Sequence, residues 1–152
     1  MKEWELLFKR PPMGKNVMIA IDAGGDGDIT KSHVRWTVRR GIPYVSSPLL
    51  VDDKVVLVKA GGIIGAWDAA TGKQVIRRKR LSDHSEYYAS PIAVGDKVIA
   101  CASAGTLYVL DPKDKLKEIK TVEFGEPLFA TPAVVDGVVY VRTESALYAF
   151  GK

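Results

Sequence analysis

The chain repeats itself. Ser47-Pro48, Ser90-Pro91 and Thr131-Pro132 open three similar stretches at a spacing of about 40 residues. An aromatic segment precedes each one: Pro43-Tyr44-Val45, Tyr87-Tyr88-Ala89 and Leu128-Phe129-Ala130. A turn and an apolar run follow: Asp52-Asp53-Lys54-Val55-Val56, Gly95-Asp96-Lys97-Val98-Ile99 and Asp136-Gly137-Val138-Val139-Tyr140. A period of this length, rich in strand signals, is the mark of propeller blades, each a four-stranded antiparallel sheet. The constraint is severe. A repeat unit of this kind cannot bury its apolar faces alone and needs a neighbour on each side.

Strand assignments follow from the repeat. The first full unit predicts strands over 47–51, 54–59, 63–67 and 74–80. The second predicts strands over 90–94, 97–102, 106–110 and 116–123, and the third over 131–135, 138–142 and 146–150. Ahead of them, 16–22 and 33–39 read as two further strands around a Gly- and Asp-rich loop. The segment 3–10 reads as a short helix, with Trp4, Leu7 and Phe8 on one face and Pro11-Pro12 ending it. The all-β organisation is therefore a helix and its end at 3–12, a half blade at 16–40, blades at 41–83 and 84–126, and a three-stranded last blade at 127–152. A propeller must close, so this tally describes a partial one. It is either a C-terminal piece of a larger repeat protein or a part that closes by self-association.

The middle strands, such as Val55–Val58 and Val138–Val141, are nearly continuous apolar runs, as expected when both faces are covered. The last strand of the first unit is Gln74-Val75-Ile76-Arg77-Arg78-Lys79-Arg80, and its charges suit an outer edge. The net charge of +4 is too small to argue for a nucleic-acid partner by itself. One cysteine, Cys101, excludes an intrachain disulfide, and it reads as a small core residue. No apolar stretch is long enough to span a membrane as a helix. Glu3, Trp4 and Glu5 near the start do not form a signal peptide.

The turn Ala66-Trp67-Asp68-Ala69-Ala70-Thr71-Gly72-Lys73 resembles the AxDxxTGK signature of pyrroloquinoline-quinone-like (PQQ-like) propeller repeats. Asp68 is suited to accept hydrogen bonds from the turn, and Gly72 to supply a left-handed residue. Val109-Leu110-Asp111 and Ala20-Ile21-Asp22 are looser copies. The likeness covers about residues 16–152, and its wording is most similar to the last blades of exported bacterial propeller proteins. The resemblance implies a periplasmic or extracellular parent. It also covers quinone-dependent dehydrogenases and a lipoprotein of the outer-membrane β-barrel assembly machinery. In the family a tryptophan ends the motif and docks on the next blade. Trp36 keeps it, whereas Ile76 and Ile119 replace it. The dehydrogenases' vicinal disulfide cannot form here, and no residue matches their catalytic acid or calcium ligands. Neither the quinone nor calcium is therefore expected as a cofactor.

Candidate sites are few. Tyr44, Tyr87, Tyr88 and Phe129 recur at one end of the central channel, where they serve either a ligand or blade packing. Arg142, Glu126 and Ser90 are their polar neighbours. Asp22, Asp26 and Asp28 could hold calcium or simply form a solvated turn. Arg77–Arg80 with Arg39 and Arg40 could form a basic rim for an anion, although alternation along a strand dilutes it. His33 and His84, with Ser85 and Glu86 beside the latter, lack partners at metal-ligand or triad spacing. The expectation is a non-catalytic binding or scaffold module with a protein or small-molecule partner at one propeller face. The alternatives are a fragment of a quinone-dependent dehydrogenase, and an anion-binding module on the basic outer strand.

Overall fold

The computed structural model describes residues 16–151. The strands are β1 (Met18–Ile21), β2 (Val34–Val38), β3 (Leu49–Val51), β4 (Lys54–Lys59), β5 (Ile63–Asp68), β6 (Gln74–Arg80), β7 (Ile92–Val94), β8 (Lys97–Cys101), β9 (Thr106–Asp111), β10 (Lys117–Glu123), β11 (Ala133–Val135), β12 (Val138–Arg142) and β13 (Leu147–Phe150). They form four antiparallel sheets in chain order: β1-β2, β3-β4-β5-β6, β7-β8-β9-β10 and β11-β12-β13. We number these sheets blades 1 to 4. The expected helix over 3–10 lies outside the described residues.

The innermost strands are shorter than the sequence predicts. β3, β7 and β11 begin after the Ser-Pro or Thr-Pro pair instead of on it. Proline has no N–H to donate to a ladder, so pairing starts one residue later. The freed hydroxyls do other work. Ser90 Oγ accepts the backbone N–H of Ser47 at 2.9 Å, and Thr131 Oγ1 accepts that of Ser90 at 2.9 Å. The segments leading into β3, β7 and β11 are thus tied in series, which gives the hydroxyls of Ser90 and Thr131 a structural role.

The core lies between the blades. Val56 and Val58 of β4 join Val98 and Ala100 of β8, Tyr108 and Leu110 of β9, and Leu116, between blades 2 and 3. Leu57 and Trp67 turn the other way and meet Met18, with Trp36 and Val38 packed alongside, between blades 1 and 2. Ile99, Cys101 and Leu107 meet Leu128 and Val141 between blades 3 and 4. Period-two alternation sends neighbouring residues of one strand into different junctions, so a middle strand is apolar throughout. At the two ends of the array the outward faces carry exposed apolar side chains. Ile21 is 58% exposed on β1 and Leu147 is 68% exposed on β13.

The turn motif performs as its residues suggest. The Thr71 N–H and hydroxyl donate to Asp68 Oδ1 at 2.7 and 2.6 Å, and the Gly72 N–H donates to the Asp68 carbonyl at 2.8 Å. Those Thr71 donors hold the Asp68 carboxyl below its ordinary range. Gly72 has φ +68°, and a Cβ there would lie 2.7 Å from the Trp36 ring. Glycine is therefore required twice, for backbone handedness and to admit the indole. Trp36 completes the junction by donating its indole N–H to the Ala69 carbonyl at 2.9 Å. The looser copies differ. Asp111 accepts only the Lys113 N–H, at 2.9 Å, in its own turn. Asp22 donates its N–H to the His33 carbonyl at 2.9 Å, as Asp68 donates to the Lys73 carbonyl at 2.8 Å, but its carboxylate pairs with Arg35. The side-chain role in that enlarged loop passes to Asp28, which accepts the Thr30 N–H and hydroxyl at 3.0 and 2.6 Å.

Candidate functional site

The loops that precede β3, β7 and β11 bring the recurring aromatics to one end of the array. Tyr44 is 92% exposed, Tyr88 43% and Phe129 58%. The rings of Tyr88 and Phe129 lie 5.8 Å apart, a tilted pair bridging blades 3 and 4. Two grooves flank them. One, of about 350 Å³, is lined by Pro43, Tyr44, Val45, Lys59, Ala60, Glu86, Tyr87 and Tyr88. The other, of about 230 Å³, is lined by Pro127, Phe129, Ala130, Arg142, Thr143 and Glu144. Each combines an exposed aromatic ring with one cation and one carboxylate: Lys59 and Glu86 in the first, Arg142 and Glu144 in the second. Exposed aromatics flanked by a charge of each sign suit a polypeptide, whose backbone and side chains offer donors, acceptors and apolar surface together.

Tyr87 does not belong to the exposed ring. It is 3% exposed, and its hydroxyl donates to the Asp83 carbonyl at 2.9 Å. Burial drives its phenol pKa well above the ordinary value. In the pair Tyr87-Tyr88 the first residue turns into the junction of blades 2 and 3, and only the second faces solvent. The reason is alternation in an extended segment. Around Tyr87 the polar groups are closed among themselves. Tyr108 Oη lies 2.8 Å from Ser82 Oγ and accepts the Asp83 N–H at 2.7 Å. Thr106 Oγ1 is 2.8 Å from Asp83 Oδ2 and 2.9 Å from Glu123 Oε2, so its single proton serves one carboxylate at a time. Burial raises the Asp83 pKa, but donors from Ser85 and Thr106 outweigh it and hold the carboxyl below its usual range.

The other sequence-predicted neighbours divide in the same way. Arg142 does share a groove with Phe129. Ser90 is engaged in the inter-blade bonding described above. Glu126 caps the loop before β13, accepting the Ser145 N–H at 3.0 Å and hydroxyl at 2.7 Å, and these donors hold its carboxyl below the usual range. Sequence reasoning did not place Lys59, Glu86 or Glu144 beside the aromatics, having considered Glu86 only as a neighbour of His84. Lys59 ends β4 and carries no sequence signal of its own, whereas Glu86 and Glu144 lie in loops, close in sequence to Tyr87 and Arg142.

The acidic loop does not assemble a cation site. Asp22 pairs with Arg35, Asp26 accepts the Gly27 N–H at 2.9 Å, and Asp28 is occupied by Thr30. Among the described residues no group of three or more His, Cys, Asp or Glu side chains is placed to hold a metal. His33 Nδ1 lies 2.7 Å from Ser32 Oγ, within its own turn. Cys101 is fully buried, and burial pushes its thiol pKa up to about 12, so it is no nucleophile. Trp36 packs on the next blade, as the resemblance implies. Ile76 is 7% exposed in the junction of blades 2 and 3, while Ile119, at a bulge in β10, is 52% exposed.

The profile of a family described as outer membrane protein assembly factor BamB (PQQ_2) matches residues 14–151. This chain belongs to that propeller-repeat family. It is 39% identical over 110 residues to the outer membrane protein assembly factor BamB of Burkholderia pseudomallei (strain K96243), covering 71% of this chain and 28% of that protein. BamB from Moraxella catarrhalis superimposes with a TM-score of 0.69 at 23% identity, over 90% of this chain and 40% of that one. A europium-containing methanol dehydrogenase superimposes with a TM-score of 0.53 at 16% identity, over 70% of this chain and 21% of that one. These structural likenesses establish the propeller fold. The chain spans well under half the length of the BamB proteins it matches. No helix among the described residues is long and apolar enough to cross a membrane.

Proposed function

We propose that this chain is the protein-docking part of a BamB-like propeller, a non-catalytic scaffold acting in the cell envelope in outer membrane protein assembly. The observation that carries the reading is the exposed row Tyr44, Tyr88 and Phe129, at successive blades on one end, with Lys59–Glu86 and Arg142–Glu144 beside it. Partly exposed aromatics with an arginine at the centre of a patch are the side chains that most often dominate protein interfaces. The family and the relatives' name, an assembly factor, support a protein partner. The exposed apolar faces at Ile21 and Leu147 are read as the seams where neighbouring blades of a longer propeller pack.

A photo-crosslinking amino acid placed at Tyr44, Tyr88 or Phe129 of the full-length protein in cells is the direct test. Crosslinks from these positions to an envelope protein, absent from a control at Lys113, are expected. Equal crosslinking from Lys113, or none from the aromatic row, overturns the assignment. The dehydrogenase alternative is tested separately, by adding quinone and calcium with an alcohol or sugar and following dye reduction. Turnover by this chain would displace the scaffold reading.

A further inference from the structure

A second surface, on the outer rim between blades 1 and 2, gathers positive charge from two different sheets. Arg39 and Arg40 follow β2 directly, and Arg78 lies on β6. The three line one groove of about 470 Å³, with Thr37 and Gln74 as polar walls and Trp67 at its floor. The groove lining contains no carboxylate. None of the three arginines joins an ion pair among the described residues. Alternation along β6 does not dilute this patch, because its charges come from a neighbouring blade as well as from the strand itself.

Arg78 is seated with care. A Cβ at Gly41 would lie 3.0 Å from its Nη1 and 3.1 Å from its Cδ, and a Cβ at Gly65 would lie 3.1 Å from its Cγ. Two glycines, Gly41 in the link that follows β2 and Gly65 on β5, leave room for the side chain. Its guanidinium is thereby held beside the Arg40-Gly41 link. Like charges that line one groove repel one another unless an anion lies among them. An arrangement of three unpaired guanidinium groups is complementary to a multivalent oxyanion. Guanidinium forks match the geometry of phosphate oxygens, which accept paired N–H bonds.

We propose that this groove binds a phosphate-bearing anion, with Arg39 and Arg40 of blade 1 and Arg78 of blade 2 sharing its oxygens. The phosphate can belong to a soluble phosphoester or to a lipid headgroup, and the two sources are separable by experiment. Pyrophosphate titrated into the full chain, followed by calorimetry and by amide chemical shifts, reports the soluble source. Co-sedimentation with phosphatidylcholine vesicles, with and without phosphatidylglycerol, reports the lipid source. Saturable binding in at least one arm is expected, with shifts centred on Arg39–Gly41 and Gln74–Arg78.

Arg78→Gln is expected to weaken that binding about tenfold, the cost of one charge-assisted paired contact. Arg78→Lys, which keeps the charge but not the fork, is expected to fall between the two. Lys120→Gln, on the outer strand of blade 3, removes the same net charge and is expected to leave binding unchanged. Arg39→Gln, in an exposed loop, repeats the test should Arg78→Gln disturb folding by circular dichroism. Absence of saturable binding in both arms, or equal weakening by Lys120→Gln, overturns the site. The aromatic row is remote in role from this groove, so crosslinking at Tyr88 is unaffected by either result.

Discussion

The junction between blades 1 and 2 and the junction between blades 2 and 3 occupy equivalent places in the repeat and are built by different means. At the first, Trp36 lies on Gly72 and donates to the Ala69 carbonyl, beside a small core of Met18, Leu57 and Trp67. At the second, the equivalent position is Ile76, and the closure comes from many apolar side chains around the fully buried Tyr108. The outer strands of blades 2 and 3 differ too. The outer strand β6 carries Arg77, Arg78, Lys79 and Arg80 with no acidic residue, whereas β10 interleaves Lys117 and Lys120 with Glu118 and Glu123. In blade 3, Asp96 pairs with Lys97 and Lys113, and Asp111 pairs with Lys97. The outer strand of blade 2 is basic without a balancing carboxylate, and that of blade 3 carries both signs. Repetition fixes the backbone plan but leaves each junction free to acquire its own surface chemistry.

Mutations that dismantle one junction and spare the other test this contrast. The largest effect is expected for Tyr108→Ala, which empties the centre of the second junction. It should destabilise the chain by about 3–5 kcal/mol, read from urea midpoints, as for a large buried aromatic truncated to alanine. Trp36→Ala removes a partly exposed ring and should cost less, roughly 2 kcal/mol. A greater loss for Trp36→Ala than for Tyr108→Ala would mean that the tryptophan contributes more than the buried tyrosine does. Tyr108→Phe keeps the packing and deletes the oxygen that meets Ser82 and Asp83. A loss of about 1–2 kcal/mol is expected, because the Asp83 N–H is left without its acceptor.

Acid separates the turns from the cores. The Asp68, Asp96, Asp111 and Glu126 carboxyls are each held below their ordinary range by hydrogen bonds or lysine partners. A lowered folded-state pKa contributes stability that is present above the unfolded-state value. It is lost as pH falls through the folded-state value. Thermal midpoints should therefore decline as pH drops below the usual carboxylate range. Asp68→Asn should flatten part of that decline, and an unchanged profile would remove Asp68 as a contributor. The smallest effects are reserved for the exposed rim. Lys113→Gln breaks a screened surface pair and should leave the midpoint unchanged within error. At the third junction, Cys101 should resist thiol reagents in the native chain and react at the rate of unfolding, since its thiol is buried and its pKa is raised.

Much of the fold was legible because its causes are local or periodic. The recurrence of hydroxyl-proline pairs, the apolar middle strands and the Asp68–Gly72 turn each follow from residues close in sequence. The candidate site was less legible. Tyr87 and Tyr88 are chemically identical neighbours, and only packing decides that one is buried at 3% exposure while the other remains at the surface. Asp22 looked like the motif aspartate by its Ala-Ile-Asp context, yet Asp28 takes the side-chain role in the enlarged loop.

The sequence by itself determined the blade plan, its strand order and the identity of the structural turn. Those depend on period, backbone preference and apolar patterning, which are written along the chain. Only the tertiary structure decided which aromatics face outward, which carboxylates are already engaged, and that Arg39, Arg40 and Arg78 meet in one groove. These are relations between residues on different blades. They are set by how sheets stack and by the space left at Gly41 and Gly65, which no local pattern encodes.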